Sequence, residues 1–234
     1  MKGIIDFEKV FGISSDRDTL TEMPLEVRLG EILRLVDKMN DGYIPYNLTH
    51  QETALLVNNA FAKFIAENAP DQTFSPLQLS PPPLDIQILF PYCRGFCAGK
   101  KAHVMTKEGD LYTPTTTAHE FAHNLGHGKE IEAEVLGYLI PKQSGVPELQ
   151  RSADLLRLSR QAWATNITDL LDCNLRDEIK DEIRYSRQLT PYQKFMQNAT
   201  SLFLMALLKK GGSKLSDYRE GFTNFLYTAG IEID

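Results

Sequence analysis

Tryptophan occurs once, cysteine three times and histidine five times among the 234 residues of this chain. The odd cysteine count (Cys93, Cys97 and Cys173) excludes a fully paired disulfide framework and suits a reducing compartment, where thiols stay free. Arg94-Gly95-Phe96 between the first two is not a metal-ligand spacing, so the thiols are expected to be inert. Long hydrophobic runs are also missing. The longest, Leu202 to Leu208, falls far short of the ~20 residues that cross a bilayer, and Met1-Lys2-Gly3-Ile4-Ile5-Asp6 carries no signal-peptide core. No membrane span is expected in this chain. It reads as cytoplasmic or soluble as written, and as extracytoplasmic if cut from a membrane-anchored parent. A basic surplus is lacking too: the net charge of −6 leaves no patch able to neutralise several phosphates, so nucleic acid is not an expected partner.

The histidines that are present are concentrated. His119, His123 and His127 fall within one short stretch, and Thr117-Ala118-His119-Glu120-Phe121-Ala122-His123 contains a complete HExxH. Two imidazoles four residues apart on a helix point the same way and can grip one divalent ion, with zinc the expected cofactor. Glu120 is then the expected general base, taking the proton of a water whose acidity the metal raises.

A catalytic zinc keeps three protein ligands and one open position, so a third ligand is needed. His127, Glu130, Glu132 and Glu134 are the candidates. Gly126 fits the HExxHxxGxxH of metzincins, but Lys129 stands where that pattern has its third histidine. Glu130 and Glu134 lie one helical turn apart on a shared face, whereas Glu132 points nearly the opposite way. The expected ligand is Glu130, with Glu134 bonded to a histidine from behind and Ala133 allowing close approach of two helices. Ligation by Glu132 or Glu134 remains open, and His127 is read as a turn residue or substrate contact.

Capping and periodicity predict helices at Pro24–Met39, from Thr49-His50-Gln51-Glu52 towards Glu67, Thr113–Leu125, Lys129–Ile140 ended by Pro141, Pro147–Trp163, Thr190–Leu208 closed by Gly211-Gly212, and about Leu215–Tyr227. Thr113 is the expected N-cap of the HExxH helix, with Pro114 in its first turn. Leu84–Phe90 reads as a strand. A second strand is expected at Ala102–Thr106, turning at Glu108-Gly109-Asp110 and returning through Leu111-Tyr112. Residues 1–21 read as irregular. The expected fold class is α+β: a mostly helical, zincin-like metallopeptidase domain with a small β-sheet before the HExxH helix. Residues 1–70 are expected to form an N-terminal helical region and 71–234 the catalytic domain, together one compact unit.

The run His119-Glu120-Phe121-Ala122-His123-Asn124-Leu125-Gly126, then Glu130-Ile131-Glu132-Ala133-Glu134 and Leu136-Gly137-Tyr138-Leu139, resembles an uncharacterised bacterial family of predicted zinc peptidases. Members read HExAHxxG, then ExEAN, then an apolar stretch ending in Tyr-Leu. The resemblance runs from about Leu79 to Leu226 and takes in Leu89-Phe90, Arg151-Ser152 and Ser216-Asp217-Tyr218. It also extends to the gluzincins, in which the glutamate is the third ligand. Two departures stand out: the family's asparagine is Glu134 here, and the transmembrane helices that usually precede the domain are absent. The resemblance implies a zinc metallopeptidase acting on a peptide or protein, with Tyr218 as a donor to the oxyanion; Arg151, His103 and Tyr185 are the other candidates for that role. Two further readings stay open: a zinc hydrolase or tailoring enzyme acting on a small molecule, and a non-catalytic zinc-binding regulatory module. An edge strand at Ala102–Thr106 is expected to pair with an extended peptide.

Overall fold

The computed structural model describes residues 3–98, 101–167, 169–210 and 220–232, with the backbone alone for 201–210. Helices follow the caps and the apolar spacing. After the short α1 (Phe7–Phe11) come α2 (Leu25–Asp41) and α3 (His50–Asn68). A reciprocal box starts α3: Glu52 N–H donates to Thr49 Oγ1 at 3.2 Å, and Thr49 N–H donates to Glu52 Oε2 at 2.9 Å. The described part of the leading segment, residues 3–21, is packed rather than loose. Asp6 caps α1, Gly12 closes it with a left-handed φ of +71°, and Ile5 and Phe7 are buried.

The expected strand at Leu84–Phe90 is instead the short helix α4 (Leu84–Leu89). Pro82 and Pro83 precede it, Gln87 N–H donates to the Pro83 carbonyl, and Leu84 and Ile88 sit at a helical i, i+4 spacing that period-2 alternation also contains. The sheet among the described residues is two-stranded: β1 (Gly95–Ala98) pairs antiparallel with β2 (Lys101–Val104), with Gly95 opposite Val104. The partner of β2 thus precedes it in the chain. Leu111 and Tyr112 are a buried turn rather than a return strand, because Asp110 Oδ1 accepts from Tyr112 N–H at 2.9 Å and bends the chain into the next helix. The other side of β2 is occupied: Leu79 bridges Ala102, and Ser80 N–H donates to the Ala102 carbonyl. Among the described residues β1 pairs with no strand other than β2.

α5 (Thr113–Asn124), α6 (Glu130–Lys142) and α7 (Pro147–Ala164) form the centre. Pro141 lies inside α6, not at its end; in a last turn its missing N–H removes a single bond, and Gln143 N–H still reaches the Leu139 carbonyl. α8 (Asp177–Arg187), α9 (Pro191–Lys210) and α10 (Phe222–Thr228) follow. Gly211, Gly212 and the expected helix start at Leu215 lie outside the described residues. Among these residues no helix is long and apolar enough to cross a membrane. One apolar core joins Ile5, Phe61 and Phe64 to Phe121, Leu136 and Phe225, across position 70. A second joins Leu35 and Met39 of α2 to Leu155 and Leu158 of α7 and Ile179 and Ile183 of α8.

Candidate metal centre

Tyr112, not Thr113, occupies the N-cap of α5; Thr113 is the first helical residue and its hydroxyl bonds Thr106 Oγ1 at 2.7 Å. The helix is held on several sides, with Ala118, Phe121 and Ala122 fully buried, so its orientation is fixed before any ligand arrives. One turn apart on it, His119 and His123 bring their Nε2 atoms to 3.1 Å, the rings nearly perpendicular at 82°. Gly126, at a φ of +94°, reverses the chain after α5. α6 then lies so close that a Cβ at Gly137 would stand 3.2 Å from both His119 Cβ and the Thr115 carbonyl. Ala133 is fully buried beside it. This approach puts Glu130 Oε2 3.4 Å from each Nε2.

The second nitrogen of each ring is engaged from behind. His123 Nδ1 lies 2.7 Å from the His127 carbonyl, which only accepts, so Nδ1 carries the proton. His119 Nδ1 lies 3.0 Å from Glu134 Oε2, and the other oxygen of that carboxylate, Oε1, takes a 2.5 Å bond from Arg160 Nε. Both Nε2 lone pairs therefore converge on Glu130 Oε2, a buried atom with no hydrogen-bond partner among the described residues. Three acceptors facing one point call for a cation. Donors about 2.0–2.2 Å from one tetrahedral ion are about 3.3–3.6 Å apart, against the observed 3.1, 3.4 and 3.4 Å. The donor set fits zinc, and among the described residues the group of His, Cys, Asp and Glu able to share an ion is His119, His123 and Glu130.

Without a cation a proton takes the same place. Burial disfavours the His119 imidazolium, yet Glu130 and Glu134 raise its pKa to about 10. Burial likewise opposes ionisation of Glu130 and Glu134, but the two histidines hold Glu130 well below the usual range, and Arg160 with His119 brings Glu134 to about 2.

Glu120 lies on the same helix, next to His119. Burial pushes its pKa up to about 7 against the pull of the two histidines, and its Oε2 has no hydrogen-bond partner among the described residues. It packs against β1 where only glycine fits: a Cβ at Gly95 would lie 2.8 Å from Glu120 Oε1. His119, Glu120, Gly95 and Cys93 line a 220 Å³ cavity, and Arg94, Tyr112 and Arg160 connect it to a second of 490 Å³. Cys93 and Cys97 are pushed up to about 11 by burial and by the Glu120 carboxylate, which leaves them poor nucleophiles.

The other sequence candidates stand elsewhere. Glu132 accepts from Ser15 Oγ at 2.6 Å and pairs with His127 Nδ1 at 2.9 Å, away from the cluster. His127 is fully buried and its Nε2 accepts the Ile5 N–H, so it is a structural turn residue rather than a substrate contact. Arg151 forms an ion pair with Glu182, His103 Nδ1 meets the Ser80 and Pro81 carbonyls, and Tyr185 donates to the Glu108 carbonyl. Tyr218 lies outside the described residues. In the sequence Arg94 and Gly95 figure only as spacers between Cys93 and Cys97, and Arg160 has no signal beyond following Arg151-Ser152 on the same helix.

The family described as "Protein of unknown function (DUF3810)" matches residues 99–220, more than half of the chain. The chain belongs to that family. The matched segment contains His119, Glu120, His123, Glu130 and Glu134, while β1 with Arg94 and Gly95 precedes it. No curated protein and no solved structure matches.

Proposed function

We propose that this protein is a zinc-dependent metallopeptidase of gluzincin type, with His119, His123 and Glu130 as ligands and Glu120 as general base. The observation that carries the reading is the convergence of three acceptor atoms at 3.1–3.4 Å beside a buried carboxylate that opens into a cavity. A bound zinc ion would supply Lewis acidity, lowering the pKa of a coordinated water from 15.7 towards about 7. The chain's own residues do the rest. Glu120, in a site dry enough to raise its pKa, accepts the proton of the attacking water and returns it to the leaving amine. Glu134 and the His127 carbonyl back the imidazoles from the Nδ1 side, which turns both Nε2 atoms towards the centre. β1 has no strand partner but β2 among the described residues, so its backbone, ending at Gly95 beside Glu120, offers an edge for an extended peptide.

Three candidate ligands rather than four among the described residues favour a reactive centre over a closed structural site. The test is metal analysis of the purified chain followed by cleavage of a peptide library. The expected result is one equivalent of zinc, and peptide turnover that falls by about 10²–10⁴-fold in Glu120→Gln protein of unchanged zinc content. Full turnover in that variant, or protein unable to take up zinc, overturns the proposal.

A further inference from the structure

The metal cavity has a basic neighbour. Three arginines (Arg94, Arg160 and Arg187) line the 490 Å³ pocket, and among the described residues no carboxylate lines it. Two of the three are already answered: Arg160 by Glu134 at 2.5 Å, and Arg187 by Asp169 at 2.5 Å. Arg94 differs. Its guanidinium lies 3.7 Å over the Tyr112 ring, and it makes no ion pair among the described residues. An aromatic face supports a guanidinium from one side and leaves its fork of N–H donors free for a planar acceptor. The backbone of Arg94 is pinned, since its carbonyl accepts from Met105 N–H at 2.7 Å, and the next residue is Gly95, against which Glu120 packs. Arg94 lines both cavities and shares the smaller one with His119 and Glu120. A ligand that fills the smaller cavity therefore meets the reacting groups and Arg94 together.

We propose that Arg94 recognises a carboxylate of the substrate, in a subsite formed by the pocket that joins the His119–His123–Glu130 centre. The inference rests on the peptidase reading for the nature of the ligand, and it names the substrate class: peptides that carry an acidic group beside the reacting carbonyl. That group is either an aspartate or glutamate side chain or a chain-terminal carboxylate; both present the same planar pair of oxygens to the guanidinium fork. The single tryptophan of the chain, Trp163, lines the same pocket, with the Arg160 guanidinium 5.6 Å over its ring. Occupation of the pocket is thus visible in its fluorescence.

The experiment uses the full chain, zinc-loaded and carrying Glu120→Gln, titrated while Trp163 emission is followed. Three pools of acetylated hexapeptides serve as probes: glutamate-scanned and C-amidated, glutamine-scanned and C-amidated, and glutamine-scanned with a free C-terminus. One of the two acidic pools is expected to bind at least about tenfold more tightly than the neutral pool, and which one does so identifies the source of the carboxylate. The advantage is expected to collapse towards unity in Arg94→Gln and to be partly kept in Arg94→Lys, which holds the charge but loses the fork. Equal binding of all three pools, no emission change with any pool, or an acidic advantage that survives Arg94→Gln overturns the proposal. The first two outcomes need no variant to fold. Parallel cleavage of the same pools by the unmodified chain separates the two readings. Acid-selective binding without cleavage retires the peptidase reading alone, and cleavage without acid preference retires the subsite alone.

Discussion

Glu134 faces a nitrogen on each side, His119 Nδ1 at 3.0 Å and Arg160 Nε at 2.5 Å, so one buried carboxylate ties the centre to α7. In the proposed centre this contact would set the ring plane of His119, and with it the direction of the Nε2 lone pair. Glu134→Gln is expected to weaken zinc binding by about 10–100-fold, read by competition with a chelating dye; an unchanged affinity removes Glu134 from that role. Gly95 stands against Glu120, the proposed general base. In Gly95→Ala the new methyl meets Glu120 Oε1 at 2.8 Å, and the carboxylate must move. Turnover is expected to drop by at least about tenfold while zinc content stays at the parent level, because a small misplacement of a catalytic group lowers rate without touching the ligands. His119, Glu120 and His123 were legible in the sequence because helical periodicity turns a spacing of four into a shared direction. Glu130 was legible for the same reason, once α6 was read as the next helix. Gly95 and Arg94 were not, because they reach the centre from a strand whose place against α5 is a tertiary fact with no local pattern.

At the scale of elements, α2, α6 and α7 are joined by one buried ion pair. Arg157 Nη2 lies 2.6 Å from Glu31 Oε1, and the same guanidinium reaches Tyr138 Oη at 3.1 Å and the Ile231 carbonyl at 2.9 Å. Removing one partner strands the other charge out of water. Arg157→Ala is therefore expected to lower unfolding free energy by about 3–5 kcal/mol in urea titration, and a loss below about 1 kcal/mol argues that the pair contributes little. The long helices were readable because caps and apolar stripes agreed, as at Thr49-His50-Gln51-Glu52. α4 was misread since Leu84, Ile86 and Ile88 alternate with polar residues, and the proline run that starts a helix outweighed that alternation. α8 escaped notice although it carries Ile179 and Ile183 four apart, acids in its first turn and Arg184 and Arg187 in its last.

Across the whole molecule, the chain's first residues are fastened to the turn between α5 and α6. The buried His127 ring accepts Ile5 N–H, pairs with Glu132 and meets Phe7 edge-on at 5.5 Å; a Cβ at Gly3 would lie 2.4 Å from the ring. His127→Ala removes these bonds and leaves a void. It is expected to destabilise this region by on the order of 2 kcal/mol, seen as faster amide hydrogen exchange over Ile5–Phe11 than elsewhere; a uniform change across the chain argues against a local fastening. The same residue serves two masters: its imidazole secures the leading segment while its carbonyl orients His123. Clipping away Gly3–Phe7 would thus loosen the turn that seats His123, although none of those residues lines the cavity beside His119 and Glu120.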